Sequence, residues 1–109
     1  MTVDCVVLRD TRDESGARYL EASIKSNGDL VISGQDLGPG VEEFFGVSEY
    51  EWLWTVAACD CDKLLEALGA PADLLSALIE RFSEERASDL QSFLESAGIR
   101  YEAWARTGD

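Results

Sequence analysis

Residues 18–34, RYLEASIKSNGDLVISG, constrain the fold more than any other stretch of the chain. RYLEASIK alternates, with Leu20, Ala22 and Ile24 on one side and Tyr19, Glu21, Ser23 and Lys25 on the other. That period of two marks a strand with one buried face. Asn27-Gly28 follows, the pair that predicts a type I′ hairpin turn, because both central residues of that turn need positive φ. LVISG (30–34) then returns as the partner strand. A chain containing this hairpin must build an antiparallel sheet and cover one side of it.

The remaining elements extend the same pattern. VDCVVLR (3–9) is rich in β-branched residues and predicts a strand, followed by the polar loop DTRDESG (10–16). SEYEWLWTV (48–56) predicts a strand with Tyr50, Trp52, Trp54 and Val56 inward, and Glu49, Glu51, Leu53 and Thr55 outward. Between them, Gly38-Pro39-Gly40 interrupts any strand and predicts a short helical turn over residues 41–45. From residue 60 the period changes to that of a helix. DCDKLLEALG (60–69) stops at a glycine, PADLLSALIERF (71–82) begins with Pro71 at the first helical position, and SDLQSFLESAG (88–98) has Ser88 and Gln91 at capping-box spacing. IRYEAWAR (99–106) predicts a closing strand. The fold class is therefore α+β, a single domain over residues 1–109 with an antiparallel four- to five-stranded sheet and two to three helices on one face. Its open face should carry Tyr19, Glu21, Glu49, Glu51, Arg100, Glu102, Trp104 and Arg106.

Charge narrows the functions open to such a domain. Twenty-two acids against nine bases give a net charge of −13. Phosphate-mediated nucleic-acid binding and anionic membrane surfaces both need Lys and Arg, so neither is expected. A basic partner, or charge serving solubility alone, remains. WLWTVAAC, the longest mainly apolar stretch, is too short for a membrane span. No basic start followed by an apolar run opens the sequence, so no signal peptide is expected. The odd count of three cysteines predicts no disulfide framework and a cytoplasmic location.

Histidine is absent, which removes the commonest general base and most zinc sites. No phosphate-binding glycine loop and no nucleophile elbow is present. CDCD (59–62) offers two thiols at a predicted helix start, where a lowered thiol pKa would permit redox sensing. A second metal-binding knuckle is lacking, so buried thiols beside a capping Asp account for it better, and neither metal nor cofactor is expected. Trp52 and Trp54 read as core, with a stacking platform for a ligand as the alternative.

The most informative stretch runs from Ser26 to Asp62, where eight acids occur without one Lys or Arg. Glu49 and Glu51 lie about 6.6–6.8 Å apart on one strand face, close to the gap between neighbouring phosphates. With Asp36, Glu42, Glu43 and Trp104 they form the candidate partner-binding set.

GQDLGP (34–39) and EYEW (49–52), within a similarity running from about Arg18 to the C-terminus, resemble a widespread bacterial family of small acidic proteins without an assigned activity. The resemblance implies a bacterial cytoplasmic domain and supplies no catalytic residue. Three functional expectations follow from the residues themselves. The first is a non-catalytic interaction module, such as an immunity protein or inhibitor, meeting a basic toxin or a nucleic-acid-binding protein; a homodimer closing the open face is a variant of it. The second is a DNA mimic, with carboxylates in two phosphate-spaced rows. The third is a ligand-binding domain or a histidine-free enzyme built around the Trp side chains near Gly38 and Gly40.

Overall fold

The computed structural model describes residues 2–14, 16–38, 49–69 and 73–108. Five strands form one antiparallel sheet in chain order: β1 (Thr2–Asp13), β2 (Gly16–Lys25), β3 (Leu30–Leu37), β4 (Glu49–Val56) and β5 (Glu102–Gly108). Three α-helices, α1 (Ala58–Leu68), α2 (Leu74–Phe82) and α3 (Leu90–Ser96), follow β4, with a 3₁₀ helix over Glu84–Asp89. The α+β class and its helical layer match the expectation from sequence. The predicted turn at 41–45 lies outside the described residues.

The helices cover the face that the alternation marked as apolar. Leu20, Ala22, Leu30, Ile32 and Val56 pack in one cluster with Leu64, Leu75, Leu78, Phe82, Leu90 and Leu94 from the helical layer. Each fully buried Leu or Ile contributes about 1.5–3 kcal/mol relative to exposure. No described helix is long and apolar enough to cross a membrane.

Several boundaries differ from the sequence reading, each for a local reason. The predicted loop at 10–16 is mostly strand, since Asp10, Thr11, Arg12 and Asp13 pair with Tyr19, Arg18, Ala17 and Gly16. An edge strand gains backbone hydrogen bonds whatever its side chains, so its polar composition concealed it. Within β1 the register shifts between Val7 and Arg9, so Leu8 and Arg9 together face Leu20. The bulge sends Leu8, 1 % exposed, into the core and directs Arg9 toward the same side.

The β2–β3 turn is not a two-residue I′ turn. Gly28 N–H donates to Lys25 O at 2.9 Å, and Lys25 N–H donates to Asp29 O at 2.9 Å. The loop therefore has three residues, with Gly28 at φ 91° in its last position, the geometry of a turn followed by a G1 bulge. The extra residue frees Asp29. Its Oδ1 accepts from the Ala58 N–H at 2.9 Å and so caps α1 from the neighbouring turn. The α1 boundary residue, Ala57, has no side chain able to do this.

The helix expected from residue 71 starts after Asp73, whose Oδ1 accepts from Ser76 N–H at 3.1 Å; Pro71 lies outside the described residues. The helix expected over 88–98 is divided. Its first part is 3₁₀, so Asp89 already has helical dihedrals and makes no side-chain cap. Gln91 donates instead to the Tyr101 hydroxyl at 3.1 Å, while the side chain of Ser88 lies outside the described residues. β5 begins three residues later than predicted, because Ile99 still closes α3 by donating to Leu94 O at 2.9 Å.

Candidate functional site: an open sheet face and an aromatic cavity

On the uncovered face, the pairing of β4 with β5 places Leu53 opposite Trp104, Glu51 opposite Arg106 and Thr55 opposite Glu102. Trp104 is 51 % exposed, not buried beneath the helices. Arg106 donates to Glu51 Oε1 at 2.7 Å, and its guanidinium carbon lies 5.9 Å from the Trp104 ring centroid. The Glu51 carboxylate raises the Arg106 pKa further. Glu49 accepts from Gln35 Nε2 at 3.0 Å. The result is an apolar centre, Trp104 and Leu53, rimmed by Glu49, Glu51 and Glu102 with one arginine among them. Toward the β1 edge, Glu21 accepts from Cys5 Sγ at 3.2 Å and from the Tyr19 hydroxyl at 3.0 Å. Burial first, then Glu21, raises both the Cys5 and Tyr19 pKa values.

The structure thus brings together Glu49, Glu51 and Trp104. Asp36 is on the opposite face, paired in register with Arg18 and Tyr50, and Glu42 and Glu43 lie outside the described residues. Other acids of the base-free stretch have separate local partners: Asp29 caps α1, and Asp60 comes within 4.0 Å of Arg100. Arg100 was expected on the open face, but it precedes β5 and is not in the strand. The described carboxylates of this face are Glu49 and Glu51 on β4 and Glu102 on β5, spread along the two paired strands from one end of their ladder to the other.

On the helix-covered face there is a cavity of about 440 Å³ that the sequence reading did not locate. The sheet supplies its floor in cross-strand rows. Arg18, Asp36 and Tyr50 form one row, and Leu20, Gly34 and Trp52 form the next. Arg9 enters from the β1 bulge, while Ala87 and Gln91 roof it from the helical layer. Tyr50 and Trp52 stack at 5.4 Å between centroids, Trp54 follows at 6.3 Å, and Tyr101 continues the row 5.8 Å from Trp54. Gly34 makes this possible. A Cβ there would lie 2.1 Å from Trp52 Cζ2, so only glycine lets the indole lie flat on β3.

The cavity is electrically unlike the rest of the molecule. Burial raises the Asp36 carboxyl pKa despite two guanidiniums pulling it down, and burial lowers that of Arg9. Among the described residues, neither arginine forms an ion pair with Asp36 within 4.0 Å. Arg9 Nε, Asp36 Oδ1 and Trp52 Nε1 are buried without a hydrogen-bond partner. Each such group costs about 1–3 kcal/mol.

The expectation that a helix start would activate a CDCD thiol fails at Cys61. Its sulfur lies 3.7 Å from the carbonyl oxygens of both Gly28 and Val56, and burial is the main cause raising its pKa. The three cysteines are free thiols, and no group of three or more Cys, Asp or Glu suited to a metal converges among the described residues.

The glycine-tryptophan contact was legible in principle, since a glycine inside a β3 pattern signals close approach by another group. The arginine pair was not, because Arg9 faces the cavity only through an unannounced bulge. No family model, curated protein or solved structure matches this chain.

Proposed function

We propose that the protein is a non-catalytic interaction module that docks a basic protein partner on the open face of β4 and β5. The observation that carries this is the half-exposed Trp104 beside Leu53, ringed by Glu49, Glu51 and Glu102. An aromatic anchor with a polar rim is how protein interfaces distribute their binding energy. Carboxylates around it favour a cationic partner and speed its approach. Separate cationic side chains of a partner would meet Glu49 and Glu102, at the two ends of the β4–β5 ladder, and a third would share Glu51 with Arg106. An immunity protein or an inhibitor of a basic toxin or nucleic-acid-binding protein fits this chemistry.

The test is affinity capture with three baits: the wild type, Trp104→Ala, and the charge reversal Glu49→Lys/Glu102→Lys. A partner retained by the wild type, lost by both variants, and released between 0.05 and 0.5 M salt is expected, as surface charge is screened over that range. A partner held equally by all three baits, or insensitive to salt, overturns the proposal.

A further inference from the structure

We propose that the cavity beneath the 3₁₀ helix and α3 is a binding site for a planar aromatic or heteroaromatic carboxylate. Independently of the docking face, three observations converge on it. The first is shape: about 440 Å³ bounded by the Tyr50, Trp52 and Trp54 rings is within the range of small-molecule sites and fits a one- or two-ring ligand. Flat apolar groups pack against such a row in offset-stacked or edge-to-face geometry.

The second is charge. Two guanidiniums share the cavity with one carboxyl, and burial favours the neutral form of that carboxyl. In a chain of net charge −13 this is a local positive site. Arg9 and Arg18 repel one another, a juxtaposition that an anion between them would relieve. Guanidinium forks hold carboxylates in two-point geometry, which a point charge on Lys does not reproduce.

The third is unsatisfied bonding. The three partnerless buried polar atoms among the described side chains, Arg9 Nε, Asp36 Oδ1 and Trp52 Nε1, all belong to residues lining this cavity. Native interiors leave few such groups, and several at one location point to something missing from it. Two are donors and one is an acceptor. The ligand that suits them carries a carboxylate for the donors and a flat ring for the aromatic row.

The probes are 2-naphthoate, its neutral isostere 2-naphthamide, and the cation 2-naphthylmethylammonium. They are titrated into the full chain and followed by the indole N–H resonances in ¹H–¹⁵N spectra. Saturable binding of 2-naphthoate that shifts Trp52 is expected, at least about tenfold tighter than the amide, with the cation weakest. Arg18→Gln should remove that preference. Arg9→Lys, which keeps charge but loses the fork, should weaken naphthoate by about tenfold. Equal affinity for acid and amide, a response that leaves Trp52 unmoved, or no saturation below about 10 mM overturns the proposal. Spectra of each variant without ligand, unchanged away from the substitution, keep a folding defect from imitating lost binding.

Discussion

Gly34→Ala tests how the aromatic row is seated. The new Cβ would lie 2.1 Å from Trp52 Cζ2, 2.2 Å from Cε2 and 2.7 Å from Cη2. Ordinary carbon contacts are about 3.5–4.0 Å, so the indole must retreat by roughly 1.5 Å. It cannot slide along β4 without meeting Tyr50, 5.4 Å away, or Trp54, 6.3 Å away. The remaining direction is outward into the cavity. Overpacking of this kind costs about 1–3 kcal/mol. Alanine recovers about 0.4–1 kcal/mol by restricting the unfolded chain, since Gly34 is not among the positive-φ glycines. A net loss of about 0.5–2 kcal/mol is expected, read as a lower urea midpoint at unchanged slope. The melting temperature should fall by about 4–8 °C per kcal/mol. Near-ultraviolet circular dichroism should change with it. Removing the ring removes the clash, so Gly34→Ala should cost almost nothing in a Trp52→Ala background. A Gly34→Ala protein as stable as the wild type, or additivity within about 0.5 kcal/mol in the double variant, would refute the seating.

Replacing Asp29 by alanine removes the acceptor for Ala58 N–H; a loss of about 0.5–2 kcal/mol is expected, with faster hydrogen exchange in the first turn of α1. No loss on unfolding would show that the cap is idle. Asp36→Asn tests the buried carboxyl. Because its folded pKa is raised, the folded chain holds a proton that the unfolded chain releases. The stability this carries is complete below the ordinary carboxylate range and is lost as pH rises through the folded value. The variant should therefore gain on the wild type between pH 3.5 and 7, and a pH-independent difference in urea midpoints would contradict that. Alkylation by iodoacetamide at neutral pH should modify exposed Cys59 well before Cys61, whose thiol is partly buried with a raised pKa. Peptide mass spectrometry gives the order, and equal rates would reject it.

The sheet and its layering were written in the sequence because burial on one face imposes a period. The alternation through Leu20, Ala22 and Ile24, and its replacement by helical spacing from residue 60, determined the α+β class. Alternation also placed Glu49 and Glu51 on one side of β4, since a pleated strand allows no other arrangement of those two, while the β4–β5 register brought Trp104 to that side. Only the tertiary structure decided what surrounds each of them. Asp36 belongs to the same acidic run yet faces the helices, because the β3–β4 register sets it opposite Tyr50 rather than Glu49 or Glu51. Asp29 became a helix cap through a turn one residue longer than Asn27-Gly28 suggests. Arg9 entered the cavity through a bulge, and bulges depend on the partner strand rather than on local composition. Period is a property of one segment, so a sequence displays it directly. A cavity requires several segments to meet, and its contents follow from registers that no single segment contains.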